Sequence, residues 1–215
     1  MLAPDGSPAG TLGQVGISGS DHYHFSSPSG LAVDALDRLY VADRGNNRIV
    51  VFNPAGAYLS EFGSQGSADN QFNSPADVAI SPYNGDIVVA DPGNHRVQVF
   101  ASDWTYKLTI GETGVPAADD AHFDNPSAVA VGPSGAIYVL DINTVQRVQK
   151  CVLTTVATCT NLTGKSDDGI DDYEEFITQL SGLGVDSSER VYLPTFGPAS
   201  VVIYDTNGNF MGAVG

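Results

Sequence analysis

Short runs of apolar residues recur along the chain and are separated by clusters of Gly, Pro, Asn and Asp. In the first clear copy, the runs cover Gly30–Val33, Arg38–Ala42, Arg48–Asn53 and Ala57–Phe62. Runs of roughly four to eight residues between such turn formers are typical of β-strands, and no segment shows the helical period of about 3.6 residues. The pattern predicts an all-β fold class.

The same order of runs returns four times, each time after a Phe. The copies begin at Phe25, Phe72, Phe123 and Phe176, which are 47, 51 and 53 residues apart. A propeller blade of four strands takes about 40–50 residues. We therefore predict four four-stranded blades and an extra N-terminal outer strand in one propeller domain or part of one, 1–215. Its parts are the outer strand 4–19 and blades 25–71, 72–122, 123–175 and 176–215.

Two segments within these copies carry a more specific pattern. Leu39–Phe52 reads LYVADRGNNRIVVF, and Ile87–Phe100 reads IVVADPGNHRVQVF. Both resemble the signature of NHL repeats, whereas the third copy matches moderately and the fourth poorly. The resemblance covers nearly the whole chain and implies a β-propeller, often of about six blades.

In the first three copies, an Asp and an Arg flank the turn between the second and third strands. The pairs are Asp43 and Arg48, Asp91 and Arg96, and Asp141 and Arg147. A carboxylate and a guanidinium at this spacing can pair and hydrogen-bond turn amides. We interpret them as structural turn clamps. The fourth copy, Leu193–Ser200, lacks both residues, so a different loop shape is expected there.

The two ends of the repeat array do not complement each other. Pro4–Gly16 reads as a turn and an outer strand without its three inner strands, whereas Asp205–Gly215 already supplies an outer strand to the fourth blade. Three explanations stay open: a piece of a larger propeller, an unusually small ring, or a surplus strand that pairs with another molecule. Unpaired strand edges are adhesive, and head-to-tail pairing that does not close gives fibres.

The net charge of the chain argues against two classes of partner. Nine Lys and Arg stand against 25 Asp and Glu, a formal net charge of -16. This charge repels nucleic acid and anionic membrane surfaces, so RNA recognition, known among NHL proteins with a basic face, is not expected. No apolar run approaches the roughly 20 residues that span a bilayer. The first residues do not resemble a signal peptide, so any export signal or anchor is expected outside this sequence.

Two cysteines and a sequon point to an oxidising setting. Cys151 and Cys159 flank a predicted hairpin, where opposed residues lie about 4.5–5.5 Å apart and within disulfide reach. Asn161 begins an Asn-Leu-Thr sequon for N-glycosylation. We predict a disulfide, with glycosylation of Asn161 left open, and an extracellular or cell-surface location.

The densest acidic run is a weak candidate for calcium. It contains Asp167, Asp168, Asp171 and Asp172, whose carboxylates are the kind of ligand calcium takes. The run lacks the spacing of an EF-hand, and a solvated link between blades is the competing interpretation. No other cofactor or metal site is predicted.

The four histidines are His22, His24, His95 and His122, and they fall in links and turns without convergent spacing. The resemblance implies an alternative function, because some NHL-like propellers are lyases or hydrolases that hold a metal with His and acidic residues around the channel. The sequence contains no nucleophile elbow, P-loop or dinucleotide fingerprint. No catalytic residue is therefore assigned.

Aromatic residues supply the remaining candidates. The Phe of each copy is expected in the core between blades. Trp104 and Tyr106 lie in the hairpin between the third and fourth strands of blade two, where the other copies have small turn residues. If exposed, they would suit sugar stacking or a protein contact, and ordinary packing is the alternative. Tyr83 and Phe196 are weaker candidates of the same type.

These observations favour a non-enzymatic extracellular module that acts as a structural or interaction scaffold. Its expected partners are proteins or carbohydrates, and one form of the hypothesis is head-to-tail self-association into a surface fibre through the unpaired terminal strands. The alternative is a metal-dependent lyase or hydrolase of the NHL-like propeller type.

Overall fold

The computed structural model describes residues 10–13, 16–117, 119–142, 146–154, 157–163, 182–195 and 200–215. These residues contain sixteen β-strands: β1 Pro28–Val33, β2 Leu39–Asp43, β3 Arg48–Phe52, β4 Tyr58–Phe62, β5 Asp77–Ile80, β6 Ile87–Asp91, β7 Arg96–Phe100, β8 Tyr106–Ile110, β9 Pro126–Val131, β10 Ile137–Asp141, β11 Arg147–Leu153, β12 Ala157–Asn161, β13 Gly184–Val185, β14 Val191–Thr195, β15 Ser200–Tyr204 and β16 Phe210–Val214.

Each run of four consecutive strands forms one antiparallel sheet in chain order. We call the sheets blade one (β1–β4), blade two (β5–β8), blade three (β9–β12) and blade four (β13–β16). The predicted all-β class and the four four-stranded blades are confirmed. No helix among the described residues is long and apolar enough to cross a membrane.

The turns follow from local sequence. Between the second and third strands of blades one and two, short 3-10 turns end at Asn47 and His95, which have φ of 55° and 57°. At the third turn of the blade, Gly56 and Gly208 have φ of 78° and 88°, and Trp104 occupies the same position in blade two with φ of 72°. Glycine adopts this conformation without a steric cost, whereas a bulky residue adopts it only at a steric cost.

Burial along the strands shows which blade faces are covered. Every residue of β6 and β7 is buried, so blade two is covered on both faces. In β14, buried residues alternate with partly exposed ones. Because successive side chains of a strand point to opposite faces, this alternation means that one face of blade four is open.

Apolar clusters lie between successive blades. Tyr40 and Phe62 of blade one share a cluster with Phe72 and Phe100 of blade two, and the rings of Phe62 and Phe100 are 4.9 Å apart. Phe123 belongs to the equivalent cluster between blades two and three, and a third cluster joins blades three and four. The Phe that begins the second and third copies is therefore core between blades. Phe176 lies outside the described residues.

The described residues of the segment before blade one do not form the predicted outer strand. Residues 10–13 and 16–19 form bends and turns without a strand, and the rest of 4–19 lies outside the described residues. Gly13 nevertheless lies against the ring of Phe25 as Gly63 lies against Phe72, and a side chain at either glycine would press on the ring. The segment thus reaches blade one at the position where a preceding outer strand ends.

Candidate functional site

The three Asp–Arg pairs are buried between the second and third strands. Nε of Arg48 donates to Oδ2 of Asp43 over 2.9 Å, and Arg96 and Asp91 repeat this bond at 2.9 Å. In the third pair, Nη2 of Arg147 donates to Oδ2 of Asp141 over 3.0 Å.

Each pair also ties together two distant parts of its blade. Nη2 of Arg96 donates to the carbonyls of Ala68 and Gln71 in the link from the previous blade. Oδ1 of Asp91 accepts the N–H of Asn73, and burial raises the pKa of this carboxyl against hydrogen bonds that lower it. With these donors and acceptors engaged inside the protein, the pairs act as internal ties.

The histidines lie apart and bind local partners. Nδ1 of His24 is 2.7 Å from Oδ2 of Asp21, and Nδ1 of His122 is 2.7 Å from Oδ1 of Asp119. The hydrogen bond to Asp119, and after it the one to Glu112, raises the pKa of His122. No group of three or more His, Cys, Asp or Glu within the described ranges could hold a metal ion.

Several sequence candidates lie in or beside parts of the chain that are not described. Asp167, Asp168, Asp171, Asp172 and Phe196 lie outside the described residues. Asn161 ends β12 and is partly buried, and the Thr163 hydroxyl of its sequon accepts the N–H of Val148.

The predicted disulfide is present in blade three. Cys151 and Cys159 are directly opposed in the β11–β12 pair, with Cα atoms 4.0 Å apart and an S–S bond. Cys151 is fully buried in the cluster between blades two and three. The bond therefore closes the outer hairpin of blade three against the core.

Trp104 and Tyr106 take the packing role that was the alternative in the sequence. Trp104 is partly buried against the cluster between blades one and two, and its ring centroid is 5.7 Å from the guanidinium carbon of Arg38. Tyr106 packs edge-on against Phe100, and its hydroxyl lies 3.0 Å from that of Thr109. Tyr83, in a turn of blade two, is 69% exposed.

Sequence reasoning missed the residue that Trp104 covers. Arg38 belongs to a trio with Asp34 and Tyr40, in which Oδ2 of Asp34 accepts Nε of Arg38 over 2.6 Å and the Tyr40 hydroxyl over 3.2 Å. Blade four repeats the trio as Asp186, Arg190 and Tyr192. The signal was present in the sequence as Asp-x-x-x-Arg-x-Tyr in both blades.

Blade one leaves an apolar surface open, which we call the blade-one face: the exposed Leu31, the partly exposed Phe25 and Leu39, and the buried Val41 beside them. Together with Leu12 and Pro28 these residues line a groove of about 260 Å³. Leu31 is 63% exposed, whereas Val78, the equivalent residue of blade two, is 2% exposed. The open groove therefore consists of residues that are core elsewhere.

Blade four is open on the side that, in blade one, packs against blade two. We call this surface the blade-four face: Tyr192, Pro194, Val201 and Ile203. Each is partly exposed, while the residues between them are buried against blade three. Their counterparts in blade one, Tyr40, Ala42, Ile49 and Val51, are buried against blade two. The two open faces are thus the two sides of an internal blade contact.

Comparisons with known proteins agree with this architecture. The family model described as NHL repeat matches residues 25–52 and 72–100. Protein brain tumor of Drosophila melanogaster is 31% identical over 118 residues, covering 54% of this chain and 11% of that protein. Peptidyl-glycine alpha-amidating monooxygenase of Mus musculus is 34% identical over 102 residues, covering 45% of this chain and 10% of that protein. The chain thus spans about a tenth of the length of these relatives.

A solved streptogramin B lyase structure superposes with a TM-score of 0.62 at 16% identity, covering 87% of this chain and 54% of that chain. At this identity the likeness shows the fold alone. Two matched NHL repeats, four consecutive blades and this superposition agree: the chain contains NHL repeats, and they fold as blades of a β-propeller.

Proposed function

We propose that this chain is a non-enzymatic interaction scaffold that binds other polypeptides through the open faces of its end blades. One observation carries the proposal: counterparts of residues that are buried between blades in the interior are exposed or partly exposed at Leu31 and Leu39 of the blade-one face and throughout the blade-four face. Contiguous exposed apolar surface marks interaction sites in soluble proteins.

The composition of the two faces favours protein partners over carbohydrate. The blade-one face is aliphatic and aromatic, and its groove is lined by residues whose counterparts in blade two are core. The aromatic residue that suited sugar stacking, Trp104, is engaged between blades. A polypeptide that presents apolar side chains is the occupant that these surfaces fit best.

The disulfide and the sequon support an extracellular or cell-surface setting for this scaffold. Association between copies, including assembly into fibres, is one form that the binding takes in this proposal. Because each copy carries a net charge of -16, association between copies should strengthen as salt screens the repulsion over a Debye length of about 8 Å at 0.15 M.

The experiment is size-exclusion chromatography followed by electron microscopy of wild type, Leu31→Asp and Leu59→Asp at 0.15 M salt. Leu31 lies in the blade-one face, and the control Leu59 is another exposed leucine, on the outer strand β4. We expect species larger than a monomer whose fraction falls several-fold in Leu31→Asp alone. Monomeric particles in all three samples would contradict association between copies.

The alternative function, a metal-dependent lyase or hydrolase, is suggested by the names of similar proteins, which include a lyase and a monooxygenase. Elemental analysis of the purified chain separates the two. A stoichiometric metal in monomeric particles would contradict the scaffold and favour the enzyme.

A further inference from the structure

Blade three fastens its outer strand differently from the other three blades. In blades one, two and four, two aromatic rings on the third and outer strands face each other at one position of the pairing. The ring centroids are 6.5 Å apart for Phe52 and Tyr58, 6.0 Å apart for Phe100 and Tyr106, and 6.2 Å apart for Tyr204 and Phe210. In blade three the paired residues are Cys151 and Cys159, which form the disulfide. The bond therefore stands where the other blades have two rings.

The strand pairing differs at the same position. In blades one, two and four the register shifts beside the aromatic pair, at Phe52, Phe100 and Tyr204. The β11–β12 pairing continues without a shift through Cys151 and Cys159, whose Cα atoms are 4.0 Å apart. Opposed residues of a regular antiparallel pair lie close enough for a disulfide. The backbone of blade three is thus arranged for a covalent fastener.

Little else holds the first half of this outer strand. Every residue of β12 is exposed or partly exposed, and Thr158 and Thr160 are polar. The apolar anchor of the strand is at its other end, where Leu162 is buried between blades three and four and its N–H donates to the carbonyl of Val148 over 2.8 Å. Residues 157–160 therefore depend on the disulfide and on the hydrogen bonds of the strand pairing.

The two sulfur atoms differ in access. Cys151 is fully buried, whereas Cys159 is partly exposed. Thiol–disulfide exchange begins when a thiolate attacks an accessible sulfur. Attack by a dithiol on Sγ of Cys159 forms a mixed disulfide, and Sγ of Cys151 leaves as a thiolate that takes up a proton. The second thiol of the reductant then attacks its own sulfur in the mixed disulfide and releases Cys159 as a thiol. Two electrons pass to the protein, and the reductant becomes a disulfide.

We propose that Cys159 is a site of thiol–disulfide exchange, at which a dithiol reductant detaches residues 157–160 from β11 while the rest of the protein stays folded. Reduction leaves two small thiols where the other blades keep two packed rings, so this end of the strand loses its fastener. Leu162 retains the far end, and reoxidation restores the bond. Cys159 is in an interior blade, so the exchange does not involve the open faces of the end blades.

The experiment is amide hydrogen exchange, followed by mass spectrometry, on the full chain with and without dithiothreitol at neutral pH. A parallel sample treated with iodoacetamide counts the thiols that are freed in the native protein. We expect both cysteines to be alkylated and exchange at residues 157–160 to become about tenfold faster or more, because local opening then needs no bond cleavage. Exchange in β8, the outer strand of blade two, should not change.

The matched control is Cys151→Phe/Cys159→Tyr, which installs the aromatic pair of blades one and two. Its residues 157–160 should exchange slowly with and without the reductant. Because that variant needs a register shift that β12 lacks, Cys151→Ala/Cys159→Ala serves as a second test and should exchange fast at 157–160 in both conditions.

Three results would overturn the exchange site. The first is a disulfide that dithiothreitol reduces only after urea has unfolded the chain. The second is slow exchange at 157–160 in the reduced wild type or in Cys151→Ala/Cys159→Ala. The third is faster exchange in all four blades on reduction, which would make the bond a staple of the whole fold and not a local fastener.

Discussion

Blade two and blade four are two copies of the repeated four-stranded unit, but they differ in how many of their faces neighbouring blades cover. Every residue of β6 and β7 is buried between blades one and three, whereas β14 and β15 alternate between buried and partly exposed residues. Both blades keep the four-stranded order. Strand pairing therefore builds a blade, and the neighbouring blade decides whether its second face is core or binding surface.

The largest expected effect breaks the buried tie of blade two. Arg96→Ala leaves the carboxylate of Asp91 without its guanidinium at a site where both side chains are almost fully buried. Removing one partner of such a pair costs about 3–5 kcal/mol, because the remaining charge stays buried. Urea unfolding should show this loss.

The matched variant in blade four is Arg190→Ala, which breaks a pair whose arginine is 45% exposed. Its urea midpoint should stay near that of wild type, because exposed pairs are solvated before and after the change. Equal losses in the two variants would contradict the distinction between a covered and an open blade face.

The disulfide of blade three is expected to have the next largest effect. Cys151 and Cys159 enclose a short loop, and the chain-entropy model gives such a crosslink about 2–3 kcal/mol. Thermal unfolding with and without reductant measures this contribution. A Cys151→Ala/Cys159→Ala variant should be insensitive to the reductant, and a reductant effect that persists in it would show another cause.

Asp77 should make stability depend on pH. It lies between the inner strands of blades two and three, where burial raises its pKa from 3.8 to about 6, although the N–H groups of Val129 and Val78 oppose the shift. The folded state then holds the proton at pH values where the unfolded chain has released it. This contribution is fully present below about pH 4 and is lost as pH rises through about 6, on the order of 2 kcal/mol.

Unfolding of wild type and Asp77→Asn in urea between pH 4 and 7 measures this dependence. The difference between the two curves should isolate Asp77, since Asn does not titrate there. In blade four, hydrogen bonds led by that from the Arg190 N–H lower the pKa of Asp186, so its contribution has the opposite sign and is lost toward low pH. If the stability of wild type changes with pH in the same way as that of Asp77→Asn, the role of Asp77 is refuted.

Local features of the sequence predicted the blades well. Predicted strands such as Arg48–Asn53 and Ala57–Phe62 differ from β3 and β4 by one residue at one end. Apolar periodicity and turn formers act over a few residues, so they are legible in one copy of the repeat. The Phe at 72 and 123 were placed correctly for the same reason, because their spacing follows the repeat, whereas Phe25 lines the open blade-one groove instead of a contact between blades.

The same local sequence features did not predict the contacts between blades. Trp104 stacks on Arg38, 66 positions earlier, and only the packing of blade two against blade one brings them together. The Asp-x-x-x-Arg-x-Tyr pattern can be seen in the sequence at Asp34 and Asp186, but the exposure of its arginine depends on which hairpin packs over it. Burial is therefore the quantity that repeat spacing leaves undetermined at the end blades.

The smallest expected effect separates strain from packing at Trp104. Trp104→Ala keeps a side chain at φ of 72° and loses the ring over Arg38, so it should cost about 2 kcal/mol. Trp104→Gly loses the same ring but relieves the backbone, as Gly56 and Gly208 do in the equivalent turns. It should therefore be more stable than Trp104→Ala by about 1 kcal/mol in urea unfolding. If Trp104→Gly is the less stable of the two, the ring is not compensating for backbone strain at this turn.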